Sequence, residues 1–538
     1  MIEVNRDNFD IVYPKVEYAI KVADFISIDA EFTGLHFDER SKPSLFDSST
    51  ERYAKLKRSI QKYTLSQIGL TTFTRNITNN QYLSQTFNFY LCPIPFGSND
   101  QRFCLQASSL QFLCKHLFNF NKWFYEGIPY LNNVQEQVVW EELDGGLLFG
   151  GINSTIDEKE IQSFCSKVAS WLPNSKIGES LTLTKCEDSQ EYIYHSDLRM
   201  RFSQIWTYKN QFDQIVVEHV DSIKRHLLEK QSHESDRQFK RKQVLQLLGF
   251  TRIFRLLQKS HKPIVGHNLL MDLMFMYDKF YNPLPESYRD FKEGINKLFP
   301  VIFDTKHMNY CLKKQLESLE IYNSNSLVEL YHNLSSTHFL LATIHQPSIL
   351  QDEDESGAGD EEKPHHAGYD SYLCGCVFLR LSHFLHYRNI DAMDAAPCIF
   401  KDYLQSLKKY KNCINIIRAM VNHIRLDGEE PPCQRPPLIH VESILPGGKL
   451  ISQQLAAWFS LYGTVDIQTV NTRQALVATS NFLTAQDIIQ AFKNHHSIRV
   501  TKYRFWDHSS LGQGIFWGSL AIATGTCLFI LMTTANDK

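Results

Sequence analysis

Two acidic side chains stand where a buried strand is predicted to end. The stretch FISIDAEFTGL, residues 25–35, begins with apolar residues and leads into Asp29 and Glu31. Side chains alternate between the two faces of a strand, so both carboxylates point to the same side. Like charges this close repel each other unless a cation lies between them. A bound metal ion would explain the pair, although an isolated Asp-x-Glu is more often a solvated strand end.

Three further side chains complete a recognisable chemical set. Asp272 follows GHNLLM, Asp370 ends HHAGYD, and His365 precedes Asp370 by five residues. Together with Asp29 and Glu31 they are the groups that a two-metal phosphoryl-transfer site requires, because several carboxylates are needed to hold two Mg²⁺ ions. One ion would activate the attacking water and the other would stabilise the leaving 3′ oxygen. A histidine can accept the proton of that water at neutral pH.

Alternating strand and helix patterns carry these residues. Runs rich in β-branched and aromatic residues predict strands at 63–74, 86–95, 264–265 and 299–304. The last of these runs ends in another acid, Asp304. Apolar residues at helical spacing predict helices at 108–121, after the strand at 264–265, and from Tyr369 onward. The order indicates an α/β core with its acids at the ends of elements.

The length of 538 residues is too great for a single core. Changes in composition and pattern divide the chain into five predicted parts. The α/β core is predicted at 1–151 and 246–426, with a small inserted domain between them at 152–245. A small α+β module is predicted at 437–505 and a C-terminal span at 515–534. The basic stretch at 224–242 is either a solvated, ion-paired helix face or a surface that grips phosphates. The acidic stretch at 351–363 is predicted to be a mobile surface loop whose role is open.

The C-terminal module has the element order β-α-β-β-α-β. This order is that of a ferredoxin-like unit, the scaffold of the RNA-recognition motif. The strands predicted at 438–444 and 474–480 contain no Phe, Tyr or Trp. RNA-recognition motifs stack bases on such rings, so the composition favours a structural or protein-docking role over base stacking.

Residues 515–534 form a run of twenty residues without charge, preceded by Lys502, Arg504 and several aromatic residues. A run of this length predicts a transmembrane helix, with a buried core helix as the alternative. Basic residues before the span predict a tail-anchored protein whose bulk faces the cytosol. The mitochondrial outer membrane is the favoured location and the endoplasmic reticulum the alternative.

Bulk composition adds two exclusions. A net charge of −3 means that any contact with a polyanion must come from a local basic patch. The 12 cysteines are scattered without a Cys-x-x-Cys pair, which indicates reduced thiols and argues against a disulfide framework or a structural zinc site.

The motifs resemble the DEDD family of 3′-to-5′ exonucleases, of the subtype with a general-base histidine. DAEFTGL, GHNLLMD and HHAGYD look like its three exonuclease motifs, and FNFNKWFYEGIPYLN and IFDTKHM are similar to stretches of the poly(A)-specific ribonuclease branch. The resemblance implies an RNase H-like core with a small helical nucleic-acid-binding insert and an RRM-like module. Together with a membrane anchor, it looks like the PARN-like ribonuclease-domain branch, whose members are similar to trimmers of piRNA precursor 3′ ends.

The resemblance also implies roles for single residues. Asp29, Glu31, Asp272 and Asp370 would bind two Mg²⁺ ions, which Mn²⁺ could replace, and His365 would be the general base. Candidates for contact with the RNA are Phe32, Leu35 and Asn268, although Phe32 and Leu35 could equally be core residues. The implied partners are single-stranded RNA with a free 3′ hydroxyl, a membrane, a Tudor-type or PIWI-type protein that delivers substrate, and a second copy of the chain.

Three hypotheses follow for the activity. The first is an active 3′-to-5′ exoribonuclease that releases nucleoside 5′-monophosphates, and it is favoured because all five chemical positions are filled. The second is a membrane-tethered RNA-binding scaffold with a relic site. The third is a general poly(A) deadenylase. RNA sequence preference and the endpoint of trimming are not encoded in any pattern that we recognise.

Overall fold

The computed structural model describes most of the chain. The described residues are 1–96, 98–145, 158–185, 191–321, 324, 326–336, 339, 345–351, 364–388, 397–433, 435–504, 515, 519, 522 and 526. The predicted acidic loop lies outside them from residue 352 to residue 363. The chain forms two compact units, one made of 1–37 and 57–412, the other of 38–56 and 413–538.

A seven-stranded sheet forms the centre of the first unit. The strands of this unit are β1 Ile2–Val4, β2 Phe25–Phe32, β3 Leu65–Asn76, β4 Gln81–Tyr90, β5 Ser180–Lys185, β6 Ile205–Lys209, β7 Gln214–His219, β8 Ile264–Gly266, β9 Ile302–Asp304 and β10 Ser348–Gln351. The order in the central sheet is β1-β4-β3-β2-β8-β9, with β10 also paired to β4. Strand β3 is antiparallel to β2, while β8 runs parallel to β2 and β9 parallel to β8. This arrangement confirms the predicted α/β, RNase H-like core.

Helices cover this sheet and connect its strands. The helices up to residue 406 are α1 Phe9–Val22, α2 Ser49–Ile60, α3 Ala107–Lys115, α4 Phe120–Glu126, α5 Asn133–Gly145, α6 Glu158–Trp171, α7 Glu191–Arg201, α8 Ser222–Leu248, α9 Phe250–Ser260, α10 Leu270–Met276, α11 Tyr288–Leu298, α12 Thr305–Glu317, α13 Leu327–Ser335, α14 Ala367–Tyr387 and α15 Phe400–Ser406. Helix α14 is buried along most of its length, which explains why its apolar residues are not confined to one face.

Aromatic packing joins α14 to the sheet. The ring of Phe25 on β2 stacks on that of Phe73 on β3, with centroids 4.7 Å apart, and meets the edge of Phe378 on α14 at 4.9 Å. All three side chains are fully buried. Burial stabilises the fold by roughly 1.5–3 kcal/mol for each such side chain, so this cluster fixes α14 against the strands that carry the acids.

The predicted insert at 152–245 is not only helical. Its described part contains α6, α7 and most of α8 together with a three-stranded antiparallel sheet of order β5-β7-β6. Phe164, Val168 and Leu198 from the helices pack on Leu183 and Val217 from the sheet. The short strands carry β-branched residues, which alternate in SLTLTK and are consecutive in QIVVEH, but the charge of the surrounding sequence obscures this signal.

The second unit contains the predicted β-α-β-β-α-β order. Its elements are β11 Cys413–Asn415, β12 His423–Arg425, β13 Ile439–Ser443, α16 Ser452–Phe459, β14 Val465–Asn471, β15 Gln474–Thr479, α17 Phe482–Ala491 and β16 Ile498–Lys502. The sheet order is β14-β15-β13-β16, and both helices pack on one face of it. On the other face His440 is only 5% exposed, and Asp466 accepts a hydrogen bond from the backbone N–H of Leu45 at 2.6 Å. Residues of the same unit therefore cover part of that face.

The prediction of a C-terminal transmembrane helix is contradicted. Within the described part of the chain, no helix is long and apolar enough to cross a membrane. The two longest described helices, α8 and α14, carry ionisable side chains that oppose burial in hydrocarbon. Of the predicted span at 515–534, the structure describes only residues 515, 519, 522 and 526. The same finding contradicts the predicted tail anchor, the membrane as a partner, and the predicted location at the mitochondrial outer membrane or the endoplasmic reticulum.

Candidate active site

The acids of the site come from three elements that meet beside the central strand. Asp29 and Glu31 lie at the end of β2, Asp272 in the first turn of α10 and Asp370 in the first turn of α14. Burial raises the pKa of Asp29 well above its usual range, and the charges of Asp370, Asp272 and Glu31 raise it further. Burial and the charges of Asp370 and Asp272 raise the pKa of Glu31 in the same way. The structure thus brings all four predicted carboxylates together.

The two helix acids are the more deeply buried members of the group. Burial raises the pKa of Asp272 to about 8, with a smaller contribution from the charge of Asp304. Hydrogen bonds from the backbone N–H groups of Asp272 and Ala30 oppose this rise, and the second of them links Asp272 to β2. Burial raises the pKa of Asp370 to about 7, although the N–H of His365 donates to its Oδ2 at 3.1 Å.

This arrangement fits a divalent metal ion. Glu31, His365 and Asp370 each offer a ligand atom, and these atoms lie within 4.8 Å of one another. Asp370 Oδ1 is buried and accepts no hydrogen bond within the described chain. Buried oxygens without a donor are costly, and a cluster of carboxylates with raised pKa values lacks positive charge. A divalent cation held by these oxygens would meet both needs.

His365 is held in an aromatic environment. Its ring centroid lies 4.2 Å from that of His116 and 4.7 Å from that of Phe112. Burial lowers its pKa below the usual value, and the charges of His116 and Lys115 lower it further. The imidazole is therefore neutral at physiological pH, the state in which it can accept a proton.

The sequence reasoning did not single out Phe112 and His116. They are four residues apart at the end of α3, so they share one face of the helix. That spacing is the only sequence signal for the pair, and it says nothing of His365, which lies far along the chain.

The predicted RNA-binding residues lie around these groups. The ring of Phe32 stacks on Phe275 of α10 with centroids 4.6 Å apart, so at least one of its faces is packed in the protein. Leu35 is 41% exposed, and its N–H donates to Gln106 Oε1 at 2.8 Å. Asn268 precedes α10 in a left-handed conformation, with φ of 66°. Contact of these three residues with RNA stays a prediction.

Neutral groups support the start of α14. Gln67 Oε1 accepts the N–H of Ala367 at 3.0 Å, and Asn88 Oδ1 accepts the N–H of Gly368 at 2.9 Å. Orphan N–H groups at a helix start need such acceptors. Because both caps are amides, they satisfy the helix without adding negative charge near Asp370. Neither residue was predicted from the sequence.

Comparisons with known proteins agree with this geometry. The family described as CAF1 family ribonuclease matches residues 4–378. The poly(A)-specific ribonuclease PNLDC1 of Mus musculus is 35% identical and covers 94% of this chain and 95% of its own. The pre-piRNA 3′-exonuclease trimmer of Bombyx mori is 31% identical and covers 98% of both chains. The poly(A)-specific ribonuclease PARN of Homo sapiens is 30% identical over 93% of this chain and 80% of its own.

These matches confirm the resemblance to the poly(A)-specific ribonuclease branch and the prediction of a 3′-to-5′ exoribonuclease. They support RNA as the class of substrate. The roles of the individual site residues are not tested by them. The chain belongs to the CAF1 family of ribonucleases.

Proposed function

We propose that this ribonuclease trims single-stranded RNA from its 3′ end, and that piRNA precursors are its substrates. The observation that carries the proposal is the convergence of Asp29, Glu31, Asp272 and Asp370 with His365 at one place in the fold. Four carboxylates beside a neutral imidazole are the groups needed to hydrolyse a phosphodiester with divalent metal ions.

The four carboxylates hold the metal ions in this proposal. Two Mg²⁺ ions, or Mn²⁺ in their place, would supply positive charge that acidifies the attacking water and stabilises the leaving oxygen. Asp370 Oδ1, which is buried without a donor, and the adjacent Glu31 provide oxygens for this purpose. Asp29, two residues before Glu31 on the same face of β2, and Asp272 on α10 complete the set.

His365 acts as the general base. Its neutral imidazole accepts a proton from the attacking water, whose oxygen then forms a bond to the terminal phosphorus. The bond between this phosphorus and the 3′ oxygen of the preceding nucleotide breaks. One nucleoside 5′-monophosphate leaves, and the released 3′ oxygen takes up a proton from solvent, so the shortened RNA again ends in a 3′ hydroxyl. The hydrogen bond from the backbone N–H of His365 to the carboxylate of Asp370 keeps the base beside the acids.

The terminal nucleotide lies against Phe32, Leu35 and Asn268 in this arrangement. Leu35 is exposed and Asn268 half-buried, so both can be reached from solvent. A free 3′ hydroxyl is required because the terminal sugar must enter the site. Delivery by a Tudor-type or PIWI-type protein and pairing with a second copy are further parts of the proposal.

The relatives also favour a second candidate, the removal of poly(A) tails. Two of the three relatives are described as poly(A)-specific ribonucleases and the third as a pre-piRNA trimmer. A general deadenylase would shorten only RNA that ends in adenosines. A trimmer would shorten ends of mixed sequence as well.

The test uses the full chain and 5′-labelled single-stranded RNA, with either mixed sequence or adenosines at the 3′ end. In Mg²⁺ we expect a ladder of products shortened from the 3′ end for both RNAs, and no products in EDTA. Asp29→Asn should reduce the rate by more than about 100-fold, beyond the loss typical of residues that merely support a metal ligand.

Asp7→Asn is the matched control. Asp7 is an exposed acid in the same unit as Asp29, so its substitution should leave the rate unchanged. Shortening of the adenosine-ended RNA alone would favour the deadenylase. Intact RNA in every lane, with the protein folded, would favour a scaffold without catalysis.

A further inference from the structure

Asp304 at the end of β9 binds the loop that leads into α10. The side chain is fully buried. Its Oδ1 accepts the backbone N–H of Asn268 at 3.0 Å and its Oδ2 accepts that of Leu269 at 3.1 Å. Hydrogen bonds to an ionised acceptor are about twice as strong as neutral ones. One carboxylate therefore fixes two consecutive residues ahead of the helix that carries Asp272.

The next residue, Thr305, binds the other half of the same loop. Its hydroxyl donates to the carbonyl oxygen of Gly266 at 2.9 Å, and its Oγ1 lies 2.9 Å from Nδ1 of His267. Thr305 is fully buried as well. Two adjacent side chains thus contact each of the residues from 266 to 269, which we call the 266–269 loop.

The 266–269 loop turns sharply and passes close to β2. Asn268 has φ of 66°, a left-handed conformation that Asn adopts more readily than most residues with a side chain. Gly266 lies so close to β2 that an added Cβ would be 2.9 Å from the carbonyl oxygen of Ile28. Ile28 is the neighbour of Asp29, and Asp272 lies in the first turn after the loop. The position of the loop consequently sets the position of Asp272 relative to Asp29.

Asp304 also caps a different helix. Its Oδ1 accepts the N–H groups of Lys306 at 2.9 Å and His307 at 3.3 Å, at the start of α12. The carboxylate therefore joins the N-terminus of α12 to the 266–269 loop. An asparagine could keep Oδ1 as the acceptor for α12, but its amide NH₂ would face the N–H of Leu269. The substitution Asp304→Asn thus breaks the contact with Leu269 selectively.

We propose that Asp304 and Thr305 are positioning residues of the metal site, which act by holding the 266–269 loop so that Asp272 meets Asp29. This inference rests on the proposed function of the carboxylates in metal binding. Neither side chain is assigned a contact with RNA.

The experiment measures Mn²⁺ affinity by the electron paramagnetic resonance signal of free Mn²⁺, and hydrogen exchange of residues 266–272, on the full chain without RNA. Asp304→Asn and Thr305→Val should each weaken Mn²⁺ binding by about 10- to 100-fold, the loss typical of residues that orient metal ligands. Both variants should also exchange faster over residues 266–272.

Asp221→Asn is the matched control. Asp221 caps α8 by accepting the N–H of Lys224 at 2.7 Å, so the same change removes the charge of a capping residue remote in sequence from the site acids. It should leave Mn²⁺ affinity unchanged. Equal weakening by Asp221→Asn, or unchanged affinity and exchange in both site variants, would overturn the inference.

Three further outcomes are informative. If Asp304→Asn does not fold, Thr305→Val decides by the same two readouts. If the wild-type chain binds Mn²⁺ but leaves RNA intact, the proposed function fails while the positioning roles can still hold, because both readouts are taken without RNA. If it binds no Mn²⁺, exchange of residues 266–272 decides alone.

Discussion

The carboxylates of the site are costly when no cation is present. Burial raises the pKa of all four acids, and those of Asp272 and Asp370 reach about 8 and about 7. Repulsion from the other site carboxylates raises the pKa values of Asp29 and Glu31 further. A fold that places acids in this way loses stability unless a ligand compensates. The compensation in this site is the affinity for a divalent ion, because binding removes the repulsion that the fold creates.

Metal affinity should therefore rise with pH. Asp272 and Asp370 hold protons in part of the metal-free molecules at pH 7, and a metal ion must displace these protons. We expect the Mn²⁺ affinity of the full chain to increase from pH 6 to pH 8, because these two carboxyls lose their protons over this range. Calorimetry in two buffers of different ionisation enthalpy should show protons released on binding.

Asp272→Asn should lower both the Mn²⁺ affinity and its slope with pH, because it removes the carboxyl with the higher of the two pKa values.

As pH rises, the stability of the metal-free protein should fall while its Mn²⁺ affinity rises. A carboxyl whose folded pKa lies above its unfolded pKa stabilises the fold fully only below the unfolded value, and this stabilisation is lost as pH rises through the folded value. Affinity independent of pH would contradict the account.

Sequence reasoning could find the five chemical residues because their types and motif spacing are local signals. It could not find their supports. His116 contacts His365 from a helix far away in the sequence, and Asp304 acts through backbone N–H groups that no pattern reveals. The roles of the amide side chains of Gln67 and Asn88 could not be predicted either, because an uncharged residue in a strand does not indicate a contact with the start of a helix.

The approach of α14 to the sheet depends on a glycine of β3. Gly69 on β3 is the register partner of Asp29. An added Cβ at Gly69 would lie 1.8 Å from the carbonyl oxygen of Ala367 and 2.5 Å from the N of Gly368. These are backbone atoms at the start of α14, so they cannot rotate away. The absence of a side chain lets Asp370, one turn further on, reach the strand that carries Asp29.

Gly69→Ala should therefore displace the start of α14. We expect a loss of about 1–3 kcal/mol in the free energy of unfolding, as for other overpacked cores, together with weaker Mn²⁺ binding. Denaturant unfolding and Mn²⁺ titration measure the two effects. Gly428→Ala is the control, because its Cβ would meet only the flexible side chain of Arg425 at 3.3 Å. Full stability and affinity in Gly69→Ala would show that α14 has room to move.

The elements were predictable where one signal dominated. The strands predicted at 63–74 and 86–95 are apolar runs that end in polar residues or proline. The first corresponds to β3, and the second overlaps β4 only over residues 86–90. The sheet of the insert was missed because its strands are short and lie among charged helices. The predicted transmembrane helix rested on an uncharged run of twenty residues and on the basic and aromatic residues before it, and the described helices do not include one that could cross a membrane.

The second unit is built around its own sheet and its own polar contacts. The segment 38–56 belongs to it although the segment is far from 413–504 in the sequence. Asp466 joins these parts, because it accepts the N–H of Leu45 and forms an ion pair with Arg418. The aromatic-free face of the module is thus involved in contacts within the unit, which is consistent with a structural or protein-docking role.

Asp466→Ala should loosen the second unit. The substitution removes the acceptor of the Leu45 N–H and the charge partner of Arg418. Loss of such a partner lowers the free energy of unfolding by about 1–3 kcal/mol. Hydrogen exchange should quicken over residues 44–47 and 465–471 and stay unchanged over residues 25–32. Asp427→Ala is the control within the same unit, since its pair with the half-exposed Arg425 is a surface contact worth at most about 1 kcal/mol. Equal effects of the two substitutions would mean that Asp466 does not join the segment 38–56 to the sheet.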